Sequence, residues 1–227
     1  MNRYAISDIH GCLKTFESLL KLIDFSKNDE LYLLGDLIDR GPNSKGVIDL
    51  IWKLQKSGHI VCCLRGNHDQ MMLEARRNYE SLTRWLEHGG EQTLYSFDAQ
   101  SISGIPEKYF EFIDDMPTSI ELDAYLFVHA GLNFALQNPL QDEHAMMWQR
   151  NWYNQINYDW LGNRVIIHGH TPLPKNEISA MQKTMTKQQY LDIDGGCVHK
   201  GNRAGQGFLC CLVLGENQLI FEKNRDF

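Results

Sequence analysis

The amino-terminal third of the chain alternates short apolar runs with segments of helical periodicity. Arg3–Ile6 is typical of a strand, 7–11 of a polar turn, and a helix face follows at Leu13, Phe16, Leu19, Leu20 and Ile23. The same cycle recurs twice, with strands expected at Leu31–Leu34 and His59–Leu64, loops at Gly35–Asn43 and Arg65–Asp69, and helices over Val47–Leu54 and from Met72. Such continuous apolar strands joined by helices predict a sheet covered on both faces, with functional loops at the carboxyl ends of its strands.

The rest of the chain continues the β pattern after an interruption. Helical fragments broken by Gly89, Gly90, Gly104 and Pro106 fill the stretch 78–118, which we interpret as a helical insertion. Further β-like runs follow at Ser119–Leu122, Tyr125–His129, Arg164–His168, Tyr190–Ile193, Phe208–Leu214 and Gln218–Glu222. No internal repeat beyond the strand-loop-helix cycle and no low-complexity segment is visible, so the sequence predicts one domain over residues 1–227.

Composition and charge narrow the class of protein. Of the 227 residues, 43% are hydrophobic and 22% charged, values that exclude a disordered or collagen-like chain. No apolar run is long enough for a membrane span and no signal peptide opens the chain, so we expect a soluble, cytoplasmic protein without a membrane partner. The formal net charge of −7 argues against a broad nucleic-acid-binding face. Any anionic substrate must therefore be held by a local positive site.

The six cysteines give no sign of metal or redox chemistry. None has CxxC spacing, and the adjacent pairs at 62–63 and 210–211 would point to opposite faces of a strand. We therefore predict reduced, mostly buried thiols that pack as small hydrophobic side chains.

Five loops, each directly after a predicted strand, hold the side chains that could carry chemistry. They are Asp8 and His10; Asp36, Asp39 and Arg40; Asn67 and His68; His129; and His168 with His170. The carboxyl ends of strands are where an open α/β sheet places its site, so these side chains are expected to converge. Carboxylate, amide and imidazole ligands without thiols suit Mn²⁺, Fe or Zn²⁺ in a site that is not a structural zinc site.

The sequence resembles the calcineurin-like metallophosphoesterases, and more narrowly the small bacterial and bacteriophage lambda-type members of the phosphoprotein phosphatase branch. The matching blocks, in order, are Asp8-Ile9-His10-Gly11, Gly35-Asp36-Leu37-Ile38-Asp39-Arg40-Gly41, Gly66-Asn67-His68-Asp69, His129-Ala130-Gly131 and Gly169-His170-Thr171. The third block ends in Asp69 where many relatives have Glu, a change we expect to be tolerated.

The resemblance implies a fold and a metal centre. The fold is an α/β (α+β) four-layer sandwich, in which two mixed β-sheets are flanked by helices. The centre holds two divalent ions, with Mn²⁺ expected and Fe or Zn²⁺ as alternatives. By position in the blocks, Asp8 and His10 bind the first ion, Asn67, His129 and His170 bind the second, and Asp36 bridges both.

The resemblance also implies catalytic roles. His68 would be the general acid, oriented by Asp39, while Arg40, Arg150 and Asn67 would contact the phosphate. Plainer alternatives stay open: turn or capping positions for Asp8, His10 and Asp39, a structural hydrogen bond for His68, and an ordinary surface position for Arg150. His168 could support a metal ligand or belong to the core, and the aromatic residues from Trp148 to Trp160 are better explained by packing than by a substrate wall.

The function expected from this resemblance is hydrolysis of phosphoserine and phosphothreonine monoesters by direct in-line attack of a metal-bridging hydroxide. The partner would be a phosphoprotein or a small phosphorylated substrate, and a monomer is expected. The alternative is a symmetrical dinucleoside polyphosphate hydrolase, such as one acting on diadenosine tetraphosphate. A third hypothesis, from another class, is a phosphoprotein-binding scaffold with an inactive site.

Overall fold

The computed structural model describes residues 1–199 and 204–227 of the chain. Its strands are β1 (Arg3–Ile6), β2 (Glu30–Leu33), β3 (Ile60–Cys63), β4 (Ser119–Leu122), β5 (Tyr125–Val128), β6 (Val165–His168), β7 (Tyr190–Asp192), β8 (Phe208–Val213) and β9 (Gln218–Lys223). Each differs from the strand expected from the sequence by no more than about one residue at either end.

The α-helices of the described residues are α1 (Leu13–Leu22), α2 (Ser44–Lys56), α3 (Asn67–Glu74), α4 (Tyr79–Trp85), α5 (Glu91–Ser96), α6 (Glu107–Asp114), α7 (Glu143–Trp148), α8 (Tyr158–Leu161) and α9 (Lys175–Gln188). Local chemistry accounts for several boundaries. The Asn43 side chain accepts a hydrogen bond from Gly46 N and caps α2, whereas α9 is terminated by the following residue, Gln189, which has a positive φ of 60°.

Two mixed sheets form the centre of the fold. The first sheet has the order β3-β2-β1-β8-β9, with β1 to β3 parallel and the last two strands antiparallel. The second sheet has the order β4-β5-β6-β7, with β4 antiparallel to the three parallel strands. Parallel pairing places the carboxyl ends of β1, β2 and β3 at one edge, and those of β5 and β6 likewise.

Three hydrophobic clusters separate the layers. Alternate residues of β1 face different clusters: Tyr4 and Ile6 pack under α1 and α2, while Ala5 packs between the sheets against residues such as Phe127. The third cluster covers the outer face of the second sheet, where Leu126 and other strand residues meet Trp152 and short helical segments. This arrangement confirms the predicted α/β sandwich of two mixed sheets flanked by helices.

The prediction of a loop over Arg65–Asp69 is wrong from Asn67 onwards, because α3 already begins at that residue. The Asp69 carboxylate accepts a hydrogen bond from Gly66 N at 2.9 Å and so caps the first turn of the helix. An acidic residue three positions after a potential cap is a helix start signal, but the apolar periodicity begins only at Met72. Asn67 and His68 therefore lie on the first turn of α3.

The stretch 78–118 is helical, as expected, and contains α4, α5 and α6. Its side chains Trp85, Tyr109 and Ile113 belong to the same hydrophobic cluster as α1 and α2. The segment therefore packs as part of the main body, and the single domain over 1–227 stays a prediction.

Two smaller expectations concern cysteines and membrane segments. All six cysteines are free thiols, and five are buried, which agrees with the predicted packing role. Among the described residues, no helix combines the length and the apolar character needed to cross a bilayer.

Candidate active site

The side chains singled out in the sequence converge where the carboxyl ends of both sheets meet. Contacts between the two halves are direct: His170 N donates to Asp8 Oδ2 at 3.1 Å, and the Nδ1 atom of His129 lies 2.8 Å from Leu34 O. We call six of these residues the ligand cluster, and each is at most 7% exposed: Asp8, His10, Asp36, Asn67, His129 and His170.

The backbone of this region is unusual. Several site residues adopt positive φ angles, namely Asp8 (54°), His10 (45°), Asp36 (52°), Asp39 (70°), Arg40 (67°) and His170 (72°). Aspartate and histidine tolerate the left-handed region better than most residues, and they are also metal-ligating types. Strained φ values typically persist where the surrounding structure enforces them at functional sites. The sharp turns let successive residues of one loop face the same centre.

His10 and two carboxylates form the first part of the ligand cluster. His10 Nε2 lies 3.5 Å from Asp36 Oδ2 and 3.9 Å from Asp8 Oδ1. The other ring nitrogen, Nδ1, lies 2.9 Å from Ile38 O, and a carbonyl can only accept a hydrogen bond. Nδ1 therefore carries the proton, and Nε2, which lies near both carboxylates, is the nitrogen with the lone pair.

Asn67, His129 and His170 form the second part. Asn67 Oδ1 lies 3.1 Å from His129 Nε2 and 2.8 Å from His170 Nδ1. His129 Nε2 also lies 3.4 Å from Asp36 Oδ1, so the two oxygens of Asp36 face the two parts of the cluster. This is the geometry required of a carboxylate that serves two cations.

The donor set fits divalent metal ions. Ligand atoms of His10, Asp36 and His68 lie within 4.8 Å of one another, as do those of Asp36, His129 and His170. Burial lowers the pKa of His170 to about 2, which keeps its imidazole neutral and able to donate a lone pair. Burial opposes a charge on His129, but the Asp36 carboxylate outweighs it and raises the pKa of His129 to about 10. The Asp36 carboxylate thus favours a positive charge at His129, where a bound cation would take the place of the proton.

His68 and Asp39 form a fully buried pair beside the ligand cluster. His68 Nδ1 lies 2.9 Å from Asp39 Oδ2, and the His68 ring stands edge-on to His10 with centroids 4.8 Å apart. The bond to the carboxylate leaves the opposite nitrogen, Nε2, free to face the centre. His68 is grouped with potential metal ligands by distance, but this pairing is also the one expected of a general acid.

Asp69 fixes the loops that carry the ligands. Its carboxylate accepts hydrogen bonds from Asp36 N at 2.8 Å and Leu37 N at 3.2 Å, besides the one from Gly66 N. Asp69 therefore ties the turn of Asp36 to the start of α3.

Arg40, Trp148 and Arg150 border the cluster, and Tyr79 lines an open cleft together with Arg40. We call these four more exposed side chains the rim. Arg40 Nη1 lies 2.7 Å from His10 Nε2, and Arg150 Nη1 donates to Thr171 Oγ1 at 3.0 Å, next to His170. The Trp148 and His170 rings are edge-on, with centroids 6.5 Å apart. Both arginines that the sequence assigned to phosphate contact therefore lie beside the ligand cluster.

Other aromatic and histidine positions have packing roles. Trp152 is 1% exposed and lies in the core on the outer face of the second sheet, so its role is packing, as expected. Trp148 instead borders the site, and packing alone does not describe its position. The Nε2 atom of His168 lies 3.0 Å from Tyr153 Oη and its Nδ1 atom 3.0 Å from Gly169 O. His168 thus supports the turn before His170 from within the core.

Sequence reasoning missed the residues that hold Asp39. Trp85 and Thr93, both in the stretch interpreted as an insertion, donate hydrogen bonds to its carboxylate. The available signal was a tryptophan and a threonine flanking the Gly89–Gly90 pair, which periodicity alone does not connect to a site.

The fold and the ligand cluster together point to the class of metallophosphoesterases. A family model described as calcineurin-like phosphoesterase matches residues 1–202, and the chain belongs to this family. Membership confirms the resemblance carried by the sequence blocks and implies divalent metal ions at the cluster.

Curated relatives of two kinds are similar to the chain. It is 35% identical over 130 residues to a symmetrical bis(5'-nucleosyl)-tetraphosphatase of Chromobacterium violaceum, covering 57% of this chain and 43% of that protein. It is 30% identical over 178 residues to serine/threonine-protein phosphatase 1 of Salmonella typhimurium, covering 75% and 78%. An asymmetrical bis(5'-nucleosyl)-tetraphosphatase of Bacillus cereus is 25% identical over 230 residues, covering 88% and 87%. The chain thus spans less than half of the symmetrical enzyme.

Solved structures share the fold at low sequence identity. A candidate diadenosine tetraphosphatase superposes with a TM-score of 0.69 at 20% identity, over 100% of this chain and 95% of the other. A Saccharomyces cerevisiae serine/threonine phosphatase with similarity to human PP5 gives 0.65 at 14% identity, over 99% and 79%. These likenesses support the two-sheet sandwich and leave the substrate open.

Proposed function

We propose that the chain is a metal-dependent phosphatase that hydrolyses phosphoserine and phosphothreonine monoesters. Asp8 and His10 would hold one divalent ion, the second part of the ligand cluster another, and Asp36 both. Oxygen and imidazole donors without thiols suit Mn²⁺, and Fe or Zn²⁺ would also fit. Bound there, two such ions would lower the pKa of a water molecule and neutralise charge on the phosphate.

The pairing of His68 with Asp39 is the observation that carries this proposal. A serine or threonine alkoxide is a poor leaving group, so its departure needs a proton. The buried 2.9 Å contact fixes the His68 ring and directs its free nitrogen towards the ligand cluster. Such general acid catalysis typically contributes roughly 10² to 10⁴ in rate, which matters most for alkyl esters.

Substrate capture would depend on the rim arginines. The guanidinium groups of Arg40 and Arg150 flank the cluster and can pair with phosphate oxygens through their planar forks. Together with bound cations, they would form a local positive site on a chain whose net charge is −7.

A second candidate function is hydrolysis of a dinucleoside polyphosphate. It is favoured by an open cleft of about 780 Å³ that has Arg40 in its wall and Tyr79, Leu82, Leu86 and His88 around it. This volume lies in the range of small-molecule sites, and an exposed tyrosine ring can stack on a base. The tetraphosphatases among the relatives give this candidate further support.

The experiment that separates the two candidates compares a phosphoserine peptide with diadenosine tetraphosphate on the same purified protein, with Mn²⁺ supplied. We expect a higher kcat/KM on the peptide. Tyr79→Ala should leave turnover of the peptide unchanged if the cleft serves nucleotides alone. A clear preference of the wild-type chain for the nucleotide would contradict the phosphatase proposal, and no turnover of any phosphate compound would favour the scaffold hypothesis.

A further inference from the structure

Asp39 lies at the centre of a buried hydrogen-bond network. Trp85 Nε1 is 3.1 Å from Asp39 Oδ1 and 3.0 Å from Oδ2, and Thr93 Oγ1 donates to Oδ1 at 2.7 Å. All three residues are 0% exposed. A buried carboxylate needs such donors because its charge is otherwise poorly solvated.

The backbone of Asp39 is held by the same network. Its N–H group lies 3.0 Å from Ser44 Oγ and 3.1 Å from Thr93 Oγ1, and these two hydroxyl oxygens are 2.9 Å apart. These contacts stabilise a residue whose φ is 70°. Asp39 is therefore fixed at both its backbone and its carboxylate.

This arrangement allows one orientation of the His68 imidazole ring. Thr93 donates to Asp39 Oδ1, and the Trp85 N–H is shared between both carboxylate oxygens, so the bond to His68 Nδ1 is made by Oδ2. A carboxylate that cannot rotate sets both the plane and the tautomer of the imidazole. The position of the proton-donating nitrogen thus depends on residues that never reach the substrate.

The segment that supplies these donors also supports Arg40. Gly89 O accepts a hydrogen bond from Arg40 N at 3.1 Å, and Gly89 has a φ of 108°. At Gly90 a Cβ atom would lie 2.4 Å from Trp85 Cδ2, so only glycine lets the turn pack on the indole ring. The turn between α4 and α5 is shaped to hold Trp85 and Arg40 together.

We propose that Trp85 and Thr93 are positioning residues for proton donation, acting through Asp39 on His68. The inference rests on the proposed function, because it assigns the leaving-group step of that reaction to residues of the stretch 78–118. It gives this stretch a role in catalysis besides its contribution to the core.

The test compares Trp85→Phe and Thr93→Val with Tyr109→Phe as the matched control. Tyr109 lies in the same hydrophobic cluster, and its hydroxyl donates to Asp49 Oδ1 at 2.7 Å, away from the site. Each variant is assayed on a phosphoserine peptide and on an aryl phosphate with a good leaving group. We expect kcat on the peptide to fall about tenfold to a hundredfold in the first two variants, and less than about threefold on the aryl ester.

Metal content and thermal unfolding are measured alongside, and Thr93→Ser, which keeps the hydroxyl, should restore most of the lost rate. The control should leave the ratio of the two rates unchanged. Equal losses on both substrates, or a failure of Thr93→Ser to recover the ratio, would overturn the inference alone. Turnover of neither ester by the wild-type chain would overturn the proposed function and the inference with it.

Discussion

The ligand cluster and the rim differ in how firmly the fold holds them. Cluster residues are buried and lie in the loops after strands or, for Asn67, on the first turn of α3. Backbone contacts fix some of their side chains, as Ile38 O does for His10 and Leu34 O for His129. Rim residues are more exposed: Tyr79 is 83% exposed, and Arg150 is held to the protein by a hydrogen bond to Thr171. The difference suggests that the chemistry is built into the sandwich, whereas the choice of substrate depends on side chains that can change at little cost to folding.

Relatives of the chain fit this division. They are named either as serine/threonine phosphatase or as dinucleoside tetraphosphatases, although all of them are similar to this one chain. A common cluster with a variable rim would produce such a set. Changes in the cluster should therefore affect every substrate, and changes in the rim should affect binding.

The largest effect is expected from Asp36→Asn, because the neutral amide cannot balance charge in both parts of the cluster. Losing several kcal/mol of charge stabilisation corresponds to a fall in kcat/KM of roughly 10³ or more on all substrates. Metal content of the purified protein should fall in parallel. Asp49→Asn, a carboxylate change on α2, is the control. Undiminished metal and activity in the Asp36 variant would contradict the role of the cluster.

A smaller and selective effect is expected from His68→Asn. The asparagine amide can still donate to Asp39 but cannot act as an acid. Rates on a phosphoserine peptide should fall by roughly 10² to 10⁴, and rates on an activated aryl phosphate far less. The measurement is the ratio of kcat values on the two esters with metal content held equal. If both rates fell by the same factor, His68 would belong with the metal ligands instead.

The smallest effect is expected from Arg150→Ala in the rim. Loss of one exposed phosphate contact should raise KM by about threefold to tenfold and change kcat by less than about twofold. Arg76→Ala, which removes an exposed arginine paired with Glu107, is the control. Initial rates over a range of substrate concentration separate the two parameters. A fall mainly in kcat would contradict the distinction between rim and ligand cluster, because it would place Arg150 among the residues that contact the reacting atoms.

Much of the fold and of the ligand cluster follows from the sequence. Buried parallel strands produce continuous apolar runs, so β1, β2 and β3 were predicted closely, and each polar block directly after a strand marked one part of the site. Short-range patterns of this kind show where along the chain each strand and each loop lies. They place Asp8, Asp36 and Asn67 correctly at one edge.

Other features depend on contacts between distant segments, which no local pattern encodes. Trp85 and Thr93 lie 46 and 54 residues from Asp39, and nothing in their neighbourhood marks them as its partners. The start of α3 was missed because its first turn is polar and is stabilised by the Asp69 cap rather than by a buried face. The border position of Trp148 likewise depends on tertiary packing.

The positive φ angles of the site have a consequence for the evolution of the chain. Backbone in sparsely populated regions costs of order 1–3 kcal/mol per residue, and glycine would relieve much of that at Asp8, His10, Asp36 or His170. Selection for heat resistance alone would then favour glycine at positions that we propose to hold metal, and the resulting proteins would be more stable but would lack those ligands. Aspartate and histidine at these positions therefore cost stability, and the proposed metal-binding role accounts for them instead.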